Sequence, residues 1–286
     1  MSFVLSCFAD EIDSDLSVQM REMRRCGIGH LELRGVGGRN VSEFSEQELR
    51  EIKKRLDGED IRVSAIGSPV GKIGIKDDFA PHLAVFERML GAAQIMGARY
   101  IRIFSFYMPK GEDAQQYSEP VCERLEKFKE KAIPLNLVLL HENEKGIFGD
   151  IAPRCKQLME RLGDENFKMT FDPANFVQCG QKVMEAYRLL VKYIEYVHIK
   201  DAKFADASVV PAGYGDGEIK EMLAALYENS YDGFLSLEPH LGDFKGFSAL
   251  EQDKKELNFS GGTDALGRFE LAVNCLRDAM KKVINA

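Results

Sequence analysis

Apolar positions along the chain follow two alternating rhythms. Short runs rich in β-branched and aliphatic residues, which predict strands, alternate with longer stretches whose apolar residues recur every three or four positions, which predict amphipathic helices. FVLSCF (3–8) is the first predicted strand, and the helix after it, over 13–26, places Leu16, Met20 and Met23 on one face before Gly27 ends the pattern. HLELRG (30–35) is the second strand, SEQELREIKKRL (45–56) a helix and RVSAIGS (62–68) the third strand. A long helix over 79–96, stopped by Gly97, leads into the fourth strand, RYIRIFSF (99–106). The second half repeats the alternation with a helix over 113–132, strand NLVLLHE (136–142), a helix over 151–162 closed by Gly163, and strand FKMTFD (167–172). Helix KVMEAYRLLV (182–191), strand EYVHIK (195–200), helix EIKEMLAALYEN (218–229), strand GFLSLE (233–238) and a last helix over 263–283 complete it.

Strands and helices that alternate in this way imply a parallel sheet of the α/β class. Eight such units in 286 residues match the size of a closed (β/α)8 TIM barrel, with a doubly wound open sheet as the alternative. No linker rich in Pro, Ser or Gly divides the sequence, so a single domain over 1–286 is expected. The loops after the seventh and eighth strands, 202–217 and 241–262, exceed the usual length and are expected to shape a site.

Composition narrows the function classes. With 45% hydrophobic and 29% charged residues and no apolar run near the roughly 20 residues of a membrane span, no membrane partner is expected. The N-terminus, MSFVLSCFADEIDS, lacks a basic start and a small-residue cleavage site, which makes the cytoplasm the default address. Six cysteines lie far apart without a CxxC and read as reduced, buried thiols. A net charge of −8 argues against a nucleic-acid partner, since phosphate binding calls for a basic surface.

Candidate chemistry lies at the ends of the last four predicted strands, which supply Glu142, Asp172, His198 and Glu238. In a parallel barrel such ends converge on one mouth. A lone strand-end carboxylate is usually a solvated charge or a helix cap, but four donors on successive strands form an oxygen-rich set suited to one divalent ion, with Mn, Mg, Co and Zn all compatible. The two-residue period of NLVLLHE sets Val138, Leu140 and Glu142 on one face and turns His141 towards the helix layer. Glu144 shares the parity of Glu142 but lies past the strand and reads as a loop contact. Glu32 and Arg34 read as a structural ion pair in the mouth, and Lys72 as a solvated lysine or a contact to an anionic group. GYGDGE lacks Walker and Rossmann spacing, so a tight loop over substrate is expected rather than a nucleotide site.

Together HENE (Glu142, Asn143), FDPANF (Asp172), HIKD (His198, Lys200, Asp201), the loop GYGDGEI (213–219) and LEPH (Glu238) resemble the xylose isomerase-like barrel superfamily of sugar and sugar phosphate isomerases and epimerases, over essentially the whole chain. The resemblance implies that Glu142 and Glu238 bind the ion and also exchange protons with a substrate carbon through an enediolate, while Asp172 and His198 mainly hold the ion. It further implies a small carbohydrate substrate and a homodimer or homotetramer; Asn175, Lys200, Lys203 and Glu144 are the expected substrate contacts, and His240 either touches substrate or caps a loop. Two departures put free-ketose epimerisation in question. Asn175 stands where such members often have His, and the segment 199–237 contains no Arg, leaving Lys203 to contact a substrate oxygen without a guanidinium fork. An inosose-type dehydratase on the same metal site and a barrel that binds sugar or metal without turnover are the alternatives. The endonuclease relatives use a three-metal cluster with several extra histidines, which five histidines in these positions do not supply.

Overall fold

In a computed structural model of the chain, residues 3–242 and 264–284 are described. Eight parallel strands close into a barrel: β1 Val4–Cys7, β2 His30–Leu33, β3 Arg62–Gly67, β4 Tyr100–Ile103, β5 Val138–Glu142, β6 Phe167–Phe171, β7 Ile194–Ile199 and β8 Phe234–Leu237. Around the ring each strand pairs with its neighbours in sequence, and closure comes from β1 against β8, with Val4 opposite Phe234 and Cys7 opposite Leu237. The helices are α1 Leu16–Arg25, α2 Glu46–Gly58, α3 Phe79–Met96, α4 Ser118–Ala132, α5 Ala152–Leu162, α6 Pro173–Gln178, α7 Val183–Leu190, α8 Ile219–Glu228 and α9 Ala265–Ile284.

Local chemistry accounts for the helix ends. Asp15 caps α1 by accepting from the Ser17 amide, Ser45 and Glu48 form a reciprocal capping box on α2, and Gly97 ends α3 with a left-handed φ of 66°. The face of α1 expected to pack inward does so, with Leu16, Met20 and Met23 all buried. These side chains belong to the large apolar shell between strands and helices. Inside the barrel a smaller apolar layer of Ala65, Val138, Leu140 and Tyr196 is topped up by hydroxyls, with Ser64 Oγ 2.6 Å from Ser6 Oγ and 2.9 Å from the Tyr196 hydroxyl.

All of the expected barrel strands and their helices are present, with differences at the edges. The fourth strand stops at Ile103 because Phe104 and Phe106 turn their amides to the Val70 and Gly71 carbonyls, leaving the barrel ladder. The helix over 113–132 opens with a 3-10 turn, Ala114–Tyr117, capped by Asp113. The short helix α6 and two antiparallel ladders, Gly35–Val36 with Arg39–Asn40 and Asp201–Ala202 with Val209–Val210, were not expected. Residues 243–262 of the loop after β8 and Thr263, the expected start of the last helix, lie outside the described residues. The six cysteines are free thiols, and among the described residues no helix is long and apolar enough to cross a membrane.

Candidate metal centre and active site

Strand parity delivers the four candidate donors to one point. Glu142 ends β5, Asp172 follows β6, His198 is the penultimate residue of β7 and Glu238 follows β8. All four are buried, and one donor atom from each lies within 4.8 Å of the others. His198 Nδ1 is 3.1 Å from Glu142 Oε1 and 3.4 Å from Glu238 Oε2. Lys200, two residues along the same face of the chain, places its ammonium 2.9 Å from Asp172 Oδ2 and 3.2 Å from Glu238 Oε2.

Asp172 is fixed from several sides. Its Oδ1 caps α6 by accepting from the Asn175 amide at 3.0 Å, while its backbone exchanges two hydrogen bonds with the Asn143 side chain, at 2.8 and 2.9 Å. These bonds tie the ends of β5 and β6 together. Oδ2 is buried and receives no well-directed hydrogen bond, although the Lys200 ammonium is close enough to neutralise it. Three carboxylates, one of them with a buried oxygen that accepts no well-directed hydrogen bond, and an imidazole fit the donor chemistry of a divalent ion.

Charge is divided unevenly across this cluster. Burial favours the neutral acid at Glu142, but the His198 and Arg102 charges outweigh it and hold that carboxyl down at about 2. At Asp172 burial dominates over the Lys200 charge, and the nearby Glu142 and Glu238 add to it, so the carboxyl is pushed up to about 7. Glu238 is held well below the usual carboxylate range, because Lys200, His240 and His198 together outweigh its burial. Burial likewise opposes the charged forms of His198 and Lys200, yet their carboxylate neighbours raise both.

The proposed substrate contacts divide into buried and exposed groups. Asn175 is buried, donating from Nδ2 to Glu142 Oε1 at 3.3 Å and to the Asn143 carbonyl at 2.9 Å. His240 is buried with φ 46°, its Nε2 3.5 Å from Glu238 Oε1 and 3.3 Å from Glu11 Oε1. Glu144 is half-buried and pairs with Lys72 at 3.2 Å, so Lys72 is partnered rather than solvated. Lys203 is exposed in the loop after β7, outside the buried cluster. His141 does face away from the four donors, with Nε2 2.9 Å from Ser105 Oγ.

Three site residues were missed or misassigned by local spacing. Arg102, in the middle of β4, donates to Glu142 Oε2 at 3.1 Å and approaches Glu238 Oε1 at 3.9 Å. Its signal was a charge on the inward parity of an otherwise apolar strand, shared with Tyr100. Arg34 reaches Glu238 at 2.9 Å, Glu11 at 3.1 Å and Asp10 at 2.8 Å, while Glu32 meets His198. Glu11, Glu238 and His240 form a second compact group of possible donors, but the Arg34 guanidinium already supplies a cation there.

A family model described as a xylose isomerase-like TIM barrel matches residues 20–259. No curated protein matches the chain by sequence. Among solved structures, a D-psicose 3-epimerase studied in the presence of D-fructose aligns at 19% identity over 98% of this chain and 99% of that one, with a TM-score of 0.74. The probable 3-DHS dehydratase AsbF of Bacillus anthracis aligns at 16% identity over 99% of each chain, TM-score 0.70. An IOLI protein with a zinc atom aligns at 14% identity over 98% of this chain and 99% of that one, TM-score 0.75. At these identities the likeness establishes the barrel fold.

Proposed function

The chain belongs to the xylose isomerase-like TIM barrel family, and on that premise we propose that it is a divalent-metal-dependent isomerase or epimerase of a small sugar, sugar phosphate or related hydroxy-carbonyl compound. The convergence of Glu142, Asp172, His198 and Glu238 within 4.8 Å carries this reading. These four residues hold one ion of Mn, Mg, Co or Zn. When bound, the ion supplies Lewis acidity to a substrate carbonyl and its adjacent hydroxyl, which eases loss of the neighbouring C–H proton.

The protein's own groups move that proton. Glu142 and Glu238, both kept ionised by their cationic neighbours, serve as the pair in which one carboxylate takes the proton and the other returns one. Arg102 lies between them, 3.1 Å from Glu142 and 3.9 Å from Glu238, and holds their separation. Asn175 and Lys200, both buried beside the four donors, offer hydrogen bonds to substrate hydroxyls. His240, also buried, and the more accessible Glu144 and Lys203 are the remaining proposed contacts.

Lys200 gives a second reading some support. A buried ammonium beside Glu238 could donate a proton to a departing β-hydroxyl, releasing water from an inosose-like ring. The test is solvent deuterium exchange in the presence of each candidate ion, across ketoses, sugar phosphates and inososes. Deuterium entering the recovered substrate or its isomer supports isomerisation, water loss supports the dehydratase, and no turnover of any of them overturns both.

A further inference from the structure

His198 turns its two ring nitrogens to different walls of the barrel. Nδ1 faces Glu142 and Glu238, whereas Nε2 lies 3.3 and 3.1 Å from the two carboxylate oxygens of Glu32. Glu32 comes from β2, which is separated from β7 by β1 and β8 around the ring, so its side chain reaches across the interior. Both residues are buried. The Phe8 ring meets the imidazole edge-on with centroids 5.2 Å apart, and the Tyr196 ring does so at 5.9 Å. The imidazole is thus held on its flanks by two aromatic rings and at its tip by a carboxylate.

We propose that Glu32 is the positioning residue of the metal centre, accepting the Nε2–H of His198 and so leaving the Nδ1 lone pair for the ion. The inference rests on the metal-site reading above. A neutral imidazole donates from one nitrogen and accepts at the other, so an acceptor fixed at Nε2 decides which nitrogen can ligate. A carboxylate in this place also raises the basicity of the ligating nitrogen. Burying Glu32 would be costly without such a donor opposite it, and His198 Nε2 lies within reach of both of its oxygens.

Zinc titration calorimetry on the full chain, combined with long-range ¹H–¹⁵N spectra of the zinc-loaded protein, tests this assignment. Glu32→Ala, which removes the acceptor, is expected to weaken zinc binding about 10- to 100-fold, and Glu32→Gln, which keeps an acceptor oxygen, to recover most of that loss. Thermal melts of the metal-free variants separate this effect from general destabilisation. In the wild-type spectrum His198 should carry its proton on Nε2, a result that stands even if an alanine variant fails to fold. A proton on Nδ1, or an alanine variant that binds zinc within about threefold of wild type, overturns the inference. Zinc uptake with Glu32 indifferent would overturn it alone, whereas no zinc uptake by wild type would overturn the metal-site reading and this inference with it.

Discussion

The loop after β7 hangs on one carboxylate, and replacing it should release that loop while leaving the barrel folded. Asp201 accepts four backbone hydrogen bonds: Oδ1 from Ala202 and Gly217, both at 2.8 Å, and Oδ2 from Gly213 and Gly215 at 2.8 and 2.9 Å. Gly215 and Gly217 must lack a side chain, since a Cβ on either would come within 2.4 and 2.6 Å of Asp201 Oδ1. In Asp201→Asn one of the two oxygens becomes an NH2 group that faces two N–H donors, so two of the four bonds are lost whichever way the amide points. At about 1–3 kcal/mol for each donor left without a partner, the local cost is about 2–6 kcal/mol. Much of the loop is exposed, so its amides can turn to water instead of straining the core. Amide hydrogen exchange at residues 213, 215 and 217 should therefore accelerate by at least about 30-fold, with little change in the global melting temperature. Unchanged exchange at all three glycines would refute the idea that Asp201 pins the loop. So would an equal acceleration throughout the barrel strands.

Three further outcomes follow from the site. Glu238→Gln should lower turnover by about 10²- to 10⁴-fold in steady-state assays while retaining metal, whereas a barrel that only binds sugar would keep its ligand affinity unchanged. Apparent metal affinity should rise with pH through about 7, the value to which burial pushes Asp172, and go on rising above it, because Asp172 and His198, whose carboxylate neighbours raise it, must each release a proton before they can ligate. Calorimetry in buffers of different ionisation enthalpy would detect the released protons, and an affinity independent of pH from 5 to 8 would contradict the assignment. Arg102→Met should destabilise the metal-free protein by about 3–5 kcal/mol in urea unfolding, since it leaves the buried Glu142 carboxylate without its guanidinium.

Hydrophobic periodicity made the barrel legible because the helices bury apolar stripes and the strands are short and mostly apolar. Parity also gave the positions of Glu142, Asp172, His198 and Glu238, since the end of a parallel strand has a fixed relation to the mouth. What escaped was information carried by closure. Arg102 sits mid-strand, and only the ring places it between two glutamates on β5 and after β8. Glu32 stands two residues from Arg34, which suggests a local pair, yet its partner His198 lies three strands away around the barrel. The α6 helix was hidden for a different reason. Six residues with proline at the first position are too few to show a 3.6-residue period, and Asp172 can be both a helix cap and a candidate ligand. The segment 199–237 does lack arginine, but Arg34 and Arg102 bring guanidinium groups to the site from the other side of the barrel.

The central claim is that four strand-end residues make one divalent metal site. Metal titration of the wild-type chain beside Asp172→Ala, followed by calorimetry and elemental analysis, tests it most directly. The account predicts one ion per wild-type chain, and in the variant a large loss of affinity with the fold retained by circular dichroism. An ion bound equally well by the variant, or no ion bound by the wild type with any of Mn, Mg, Co and Zn, would contradict it.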